Sequence, residues 1–138
     1  MNPQVSGYSG TPLARKLGIA EGSRVFSRHS PSEYFQWLAP LPPSVVFEKA
    51  VSPATDIVHI FSDRSSHLKS ELEVLHRVIR KDAAVWVSWP KKASKVPTDI
   101  TEDTIRALAL PLGFVDVKVC AVSEVWSGLK LVIRKEFR

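Results

Sequence analysis

The chain has 138 residues, of which 44% are hydrophobic and 24% charged, and these values are typical of a globular domain with its own core. Lysine and arginine total 19 against 14 acidic residues, so the net charge of +5 is compatible with an anionic partner or with a charge that only maintains solubility. The single cysteine, Cys120, excludes an internal disulfide and a multi-cysteine metal site, and no apolar stretch approaches the length of a membrane span.

The start of the chain is polar and rich in glycine, which predicts a flexible arm over residues 1–10 and a single α/β domain over residues 11–138. This arm lacks the basic and apolar regions of a secretory signal, so the cytoplasm is the expected location. Thr11-Pro12 indicates the start of a first helix and Gly18 its end.

The next elements are short. A strand is expected over residues 23–26. The sequence Ser30-Pro31-Ser32-Glu33 has the form of a capping box and predicts a helix that continues to Leu38. A brief strand is expected over residues 45–47, and the apolar run at 56–61 predicts a central strand that is buried on both faces.

The second half of the sequence alternates helices and strands more clearly. The longest helix is expected over residues 65–81, where leucine and isoleucine recur at spacings of three and four. A central strand is expected over 83–89, and a helix that begins at Thr101 follows it. Strands over 115–122 and 129–135 are expected to form an antiparallel hairpin.

Strands that alternate with helices indicate a three-layer, Rossmann-like α/β fold with a mostly parallel sheet. The C-terminal hairpin is expected to add an antiparallel strand at the edge of that sheet. The segments LGIAEGSRVF, DIVHIF, KDAAVWVSWP and GFVDVKVCAV together resemble a reduced class I methyltransferase fold over about residues 13–135.

Methyltransferases of that class carry glycines after the first strand, where the backbone approaches S-adenosylmethionine, and an acidic residue after the second strand, which holds the cofactor ribose. Here the first position reads Ser27-Arg28-His29-Ser30-Pro31, without glycine, and the second position reads Glu48-Lys49. The departure puts the usual cofactor site in doubt, and we expect no cofactor from the sequence.

Four further blocks, SGYSGTPLARKLGI, WVSWPKK, TDITEDTIR and VDVKVCAVSEVWSGLKLV, resemble a bacterial family of small proteins of unknown function. This resemblance spans nearly the whole chain, and it implies no particular reaction.

Ligands of open α/β sheets bind outside the carboxyl ends of the strands. The segments that should gather there predict a polar, net-basic pocket with aromatic walls. Helix starts at Ser30-Pro31 and near Ser65 are expected to add backbone donors for an anion. The candidate ligand-binding residues are Arg28, His29, Asp63, Arg64, Trp89, Lys91, Lys92, Glu124 and Trp126.

Single residues within this set have more than one explanation. His29 is the best acid–base candidate, with Asp63 or Glu124 as its partner, but a solvated loop histidine gives the same pattern. His59 lies within a buried strand and indicates a core histidine. Trp89 and Trp126 fall near strand ends, where both core packing and stacking on a flat ligand explain a tryptophan.

Three functions follow from these observations. The first is a non-catalytic binding or regulatory module for an anionic small molecule, a nucleotide or a protein partner, which the absence of catalytic motifs favours. The second is an enzyme, either a divergent transferase or an acid–base catalyst that uses His29. The third is nucleic-acid binding through the basic loop at Lys91 and Lys92. No two histidines are spaced for a metal site, and none is predicted.

Overall fold

The computed structural model of the protein describes residues 10–138, so the arm predicted before them lies almost wholly outside the described residues. Within this range the chain forms one sheet of six strands. The strands are β1 (Arg24–Arg28), β2 (Val46–Phe47), β3 (Ile57–Phe61), β4 (Ala84–Pro90), β5 (Phe114–Ala121) and β6 (Trp126–Ile133).

Helices cover both faces of the sheet, as the predicted three-layer α/β fold requires. They are α1 (Leu13–Lys16), α2 (Tyr34–Leu38), α3 (Ser65–Val78) and α4 (Glu102–Leu112). Among residues 10–138, no helix combines the length and the apolar character needed to cross a membrane.

The strand order across the sheet is β2-β1-β3-β4-β6-β5. The strands β2, β1, β3 and β4 are parallel neighbours, whereas β6 is antiparallel to both β4 and β5. The predicted hairpin is therefore confirmed, but its position is different. The antiparallel strand is β6, which lies inside the sheet, and β5 forms the edge.

Two hydrophobic clusters hold the layers together. One joins α3 and α4 to the sheet and contains Leu68, Val85 and Ile105, and the other joins α1 and α2 to the opposite face and contains Leu13, Leu38 and Trp86. Successive residues of the central strands enter alternate clusters, as side chains of a strand must. The expectation that β3 and β4 are buried on both faces is confirmed.

The helix starts follow local hydrogen bonding. At α4, the Thr101 hydroxyl accepts a hydrogen bond from the Thr104 backbone N–H, and the predicted start is confirmed. At α2 the predicted capping box is wrong. The Ser30 hydroxyl lies 3.4 Å from the Ser27 hydroxyl, no side chain caps the helix, and α2 begins only at Tyr34.

A buried polar chain connects α2 to the two central strands. The Tyr34 hydroxyl lies 2.8 Å from His59 Nδ1, and His59 Nε2 lies 2.7 Å from the Ser88 hydroxyl. Burial lowers the pKa of His59 from 6.5 to about 3, so the ring is neutral at physiological pH and can donate from one nitrogen and accept at the other. The interpretation of His59 as a satisfied core histidine is confirmed.

We expect Tyr34→Phe to lower the free energy of unfolding by about 1–3 kcal/mol, because it leaves one His59 nitrogen buried without a partner. Urea denaturation of the two proteins measures the difference. Ser66→Ala removes an exposed hydroxyl from α3 and serves as the control, with an expected change within about 0.5 kcal/mol. Equal stability of Tyr34→Phe and the wild type would contradict the structural importance of the hydrogen bond.

Candidate functional site

The carboxyl ends of the strands carry three adjoining clefts. The first, which we call the tryptophan cleft, lies between the start of α2 and the β5–β6 turn and has a volume of about 430 Å³. Its lining contains two carboxylates, Glu33 and Glu124, and two indole rings, and it contains no basic side chain. The lining residues are Pro31, Glu33, Trp37, Ser123, Glu124, Val125 and Trp126.

The second cleft, which we call the histidine cleft, shares Trp126 with the first and has a volume of about 260 Å³. It brings together two imidazoles and two carboxylates, and the remaining lining is Phe61, Ser62 and Trp126. His29 has a left-handed backbone conformation with a φ of 60°, which glycine adopts more readily than other residues. The titratable residues of the histidine cleft are His29, Asp63, His67 and Glu71.

The third cleft, which we call the helix cleft, runs beside α3 and has a volume of about 240 Å³. It shares Glu71 with the histidine cleft. Arg28 Nε lies 3.3 Å from Glu71 Oε2, and the two groups form an ion pair without a hydrogen bond. The lining residues are Arg28, Val51, Ile60, Ser70, Glu71, Val74 and Leu75.

Glu71 is the most perturbed acid of these clefts. Its Oε2 atom is buried and accepts no hydrogen bond from the described residues. Burial raises the pKa of the Glu71 carboxyl above 4.5, and the opposing charges of Arg28, His29 and His67 do not cancel the shift. A carboxyl with these properties can exchange a proton closer to neutral pH than an ordinary glutamate does.

An aromatic stack supports the clefts from below. The His59 ring stacks on Phe61 with ring centroids 4.3 Å apart, and Phe61 meets Trp126 edge to face at 5.0 Å. Tyr34 contacts the same two rings, His59 and Phe61, edge to face. Through Phe61, this stack supports the ring of Trp126, which lines both the tryptophan and the histidine clefts.

The backbone donors predicted for an anion are partly used at α3, and α2 does not begin at Ser30-Pro31. The carboxylate of Asp99 accepts hydrogen bonds from the Ser65 backbone N–H at 2.8 Å and from the Ser65 hydroxyl at 2.7 Å, so the start of α3 already holds an acid. The helix α2 is only five residues long and begins after Ser30-Pro31. The lining of the tryptophan cleft contains two carboxylates and no basic side chain, whereas Arg28, His29 and His67 line the other two clefts, so the expected net-basic pocket stays a prediction.

The predicted site residues separate into two groups. The clefts bring together five of the nine, Arg28, His29, Asp63, Glu124 and Trp126, of which Arg28 lines only the helix cleft.

The other four predicted residues line none of the three clefts. Trp89 is only 7% exposed and packs in the cluster under α3 and α4, so it has no free ring face for a ligand. Lys91 joins the edge through its backbone N–H, which donates to the Val125 carbonyl at 2.8 Å. Lys92 begins an exposed 3-10 turn, and Arg64 is exposed just before α3.

Sequence reasoning missed Glu33, Trp37, His67 and Glu71. His67 and Glu71 are four residues apart and lie on one face of α3, beside the leucine stripe. The sequence contains the signal, because this spacing together with a helix start at the carboxyl edge predicts that both side chains face the ligand-binding edge. Trp37 is half-buried, and its partial exposure depends on how α2 is placed.

The residues do not fit S-adenosylmethionine held in the manner of class I methyltransferases. The loop after β1 carries the side chains of Arg28 and His29 where that class has glycines. Glu48 follows β2, but its carboxylate lies 2.7 Å from Arg24 Nε and accepts a hydrogen bond from the Thr55 hydroxyl at 2.6 Å. These partners lie at the opposite end of the strands, so Glu48 is turned away from the clefts.

Comparison with known proteins identifies the fold. No family model matches the sequence, and no curated protein matches it either. Among solved structures, a putative type 11 methyltransferase from Sulfolobus solfataricus has a TM-score of 0.62 and 14% identity, with 94% of each chain covered.

Two further solved structures share this fold. A SAM-dependent methyltransferase from Aquifex aeolicus has a TM-score of 0.64 and 14% identity, and the match covers 88% of this chain and 87% of that one. The N-methyltransferase NodS from Bradyrhizobium japonicum WM9 has a TM-score of 0.60 and 8% identity over 89% and 93% of the two chains. The fold is therefore methyltransferase-like, as the sequence predicted, and these identities show the fold alone.

We expect Glu71→Gln to become more stable relative to the wild type as the pH rises. A raised pKa means that the protonated carboxyl favours the fold, so its contribution is fully present below pH 4.5 and is lost as the pH passes through the raised value. Urea denaturation between about pH 4 and pH 8 measures the difference. Glu73→Gln controls for the loss of a carboxylate from the same helix. A Glu71→Gln difference that does not vary with pH would contradict the prediction.

Proposed function

We propose that the protein binds a small organic cation, an ammonium or sulfonium compound, at the carboxyl edge of its methyltransferase-like sheet. The observation that carries the proposal is the tryptophan cleft, whose lining combines the carboxylates of Glu33 and Glu124 with the indole rings of Trp37 and Trp126. Aromatic faces and carboxylates both attract cations.

The anion that the sequence favoured is less well supported. Asp99 already accepts hydrogen bonds from the backbone N–H and the hydroxyl of Ser65 at the start of α3, and no lysine lines the clefts within the described residues. Arg28 is the basic side chain of the helix cleft, and Glu71 already pairs with it. A protein partner and nucleic-acid binding through Lys91 and Lys92 stay predictions, and the second would show as a steep loss of affinity with added salt.

The size of the tryptophan cleft also supports a small molecule. Ligand pockets are typically about 300–1,000 Å³, and the cleft of about 430 Å³ lies within that range. The charge of the lining distinguishes this site from a general apolar pocket, because the cleft carries two carboxylates and no basic side chain.

We expect S-adenosylmethionine, which carries a sulfonium charge, to bind more tightly than S-adenosylhomocysteine, its neutral thioether counterpart. The two probes are nearly equal in shape, so the difference in affinity reports the recognition of charge. Isothermal titration calorimetry measures it, and Glu124→Gln should reduce the preference by roughly tenfold, which corresponds to about 1.4 kcal/mol.

Glu73→Gln, on α3 outside the three clefts, is the matched control and should leave both affinities unchanged. If the two probes bind equally, or if neither they nor simple ammonium ions bind, the proposed function is wrong.

A transferase-type activity is the second candidate, and it is favoured by the solved structures that share the fold, which are named as methyltransferases. His29, His67 and Glu71 provide proton acceptors in the adjoining cleft.

We expect a transferase to convert S-adenosylmethionine to S-adenosylhomocysteine in the presence of small-molecule acceptors, with loss of the conversion in Glu71→Gln. Liquid chromatography with mass spectrometry measures the product. Conversion that stays at the rate of the protein-free solution across a broad acceptor panel would leave the protein as a binding module.

A further inference from the structure

We propose that the outer edge of β5 binds an extended peptide segment of another protein as an added strand, and that acidic and apolar side chains alternate in this segment. No residue of β5 lines any of the three clefts, so the proposal does not depend on the cation site.

The strand β5 is an edge strand whose outer side has no strand partner among residues 10–138. It pairs with β6 alone, so the backbone N–H and C=O groups of its outer side are left for another chain. The side chains in the middle of β5 are also uncovered, because Val117 is 53% exposed, Val119 is 46% exposed and Lys118 between them is exposed. An extended peptide binds an edge of this kind through its main chain.

One face of this edge carries a row of positive charge. Lys118 lies directly opposite Lys130 of β6, which lies directly opposite Trp86 of β4. Residues that pair directly point to the same face of a sheet. The Trp86 indole N–H donates to the Leu17 carbonyl, so this is the face on which α1 packs. A strand added beside β5 would place its own side chain next in the row, where a carboxylate would lie opposite Lys118.

A third lysine adds to this charge. Burial raises the pKa of the Cys120 thiol, and the charges of Lys16 and Lys118 oppose the shift, so both ammonium groups lie near that sulfur. Within residues 10–138, no acidic side chain forms an ion pair with Lys16, Lys118 or Lys130. Like charges directly opposite each other are unfavourable, so this lysine row favours an acidic partner.

The acids closest to the lysine row do not neutralise it. Lys130 lines a cleft at the amino ends of the strands together with Glu21, Asp56 and Asp82. Asp56 and Asp82 both pair with Arg80 rather than with a lysine of the row.

The opposite face of the same edge is apolar. Val119 lies directly opposite Leu129, which is fully buried in the cluster under α3 and α4. Because successive residues of a strand point to opposite faces, Lys118 presents charge on one face and Val119 presents methyl groups on the other. The matching peptide therefore alternates acidic and apolar residues.

The lysine row selects against a second copy of this chain. Antiparallel pairing of two β5 strands about Lys118 would place this lysine opposite itself. A lysine on an edge strand is a common barrier to self-association, and an acidic partner turns the barrier into an attraction. The irregular pairing between Asp116 and Lys118 limits the regular edge to the end of β5, so we expect a short contact of modest affinity.

The test is fluorescence anisotropy with a labelled, end-blocked octapeptide of alternating glutamate and valine. One comparison peptide carries lysine in place of glutamate. Another has every backbone nitrogen methylated, so it keeps its charge but cannot donate hydrogen bonds to the edge. We expect the unmodified glutamate peptide to bind at least tenfold more tightly than either, with slower amide hydrogen exchange in β5 when it is bound.

Two charge reversals locate the contact. Lys118→Glu should weaken binding of the glutamate peptide by roughly tenfold. Lys69→Glu is the matched control, because Lys69 is exposed on α3 and the net charge changes equally, and it should bind as the wild type. Lys118→Glu places opposite charges across the β5–β6 pair, so the variant should unfold at or above the wild-type temperature, and lost binding would not reflect lost folding.

Three results would each overturn the proposal. The first is equal binding of the methylated peptide, or equal binding by Lys118→Glu and the wild type. The second is an oligothymidylate of equal charge that binds more tightly than the peptide and depends on Lys118, which would assign the row to nucleic acid. The third is a dimer in analytical ultracentrifugation that Val119→Asp dissociates, which would assign the edge to a second copy. None of these results bears on the cation site.

Discussion

The neutral imidazole of His59 is the interaction on which the carboxyl edge depends. It lies between the Tyr34 hydroxyl and the Ser88 hydroxyl, so one ring connects α2, β3 and β4. The helix α2 has only five residues and no side-chain cap, and a helix of that length has little stability of its own. Its position, and with it the position of Trp37, is therefore set by this buried hydrogen bond and by the packing around it.

The same ring supports the opposite wall of the tryptophan cleft. His59 stacks on Phe61, which meets Trp126 edge to face. Protonation of His59 would place an unpaired charge in the core, and burial prevents this by lowering its pKa to about 3. The polar core and the candidate site are thus linked, because His59 contacts Tyr34 of α2 and also Phe61, which meets Trp126 of the tryptophan cleft.

The pairing of its acidic residues makes the carboxyl edge of this sheet different from that of class I methyltransferases, although the fold is similar. Asp99 binds the start of α3, and Glu48 is held by Arg24 and Thr55 at the other end of the strands. The acids that line the three clefts are Glu33, Asp63, Glu71 and Glu124. The backbone scaffold is common to many enzymes, whereas the chemistry of its edge is determined by which side chains pair with each other.

The fold could be predicted from the sequence because apolar residues form continuous runs in the central strands and recur at helical spacing in the long helices. The apolar runs of β3 and β4 and the leucine stripe of α3 appear in the structure at nearly the expected bounds. Helix capping was less predictable. The Thr101 hydroxyl caps α4 by accepting from the Thr104 backbone N–H, whereas the Ser30 hydroxyl lies beside Ser27 and caps no helix.

The site was harder to predict for a similar reason. Trp89 and Trp126 look alike in the sequence, and only the side of the sheet on which each falls makes one buried and the other accessible. Likewise, Asp99 is far from Ser65 in the chain, so nothing local indicated that it would occupy the start of α3. Long-range pairings decide which groups remain for a ligand, and a single sequence does not display them.

The position of β6 between β4 and β5 has a consequence for synthesis. This strand emerges from the ribosome after both of its neighbours, and it pairs with each of them along most of its length. Until it arrives, β4 has one open edge and β5 has no partner in the sheet. Open strand edges invite pairing with other chains. The nascent protein therefore exposes an edge of β4 and an edge of β5 until β6 is made, and β6 covers both of these edges when it pairs between them.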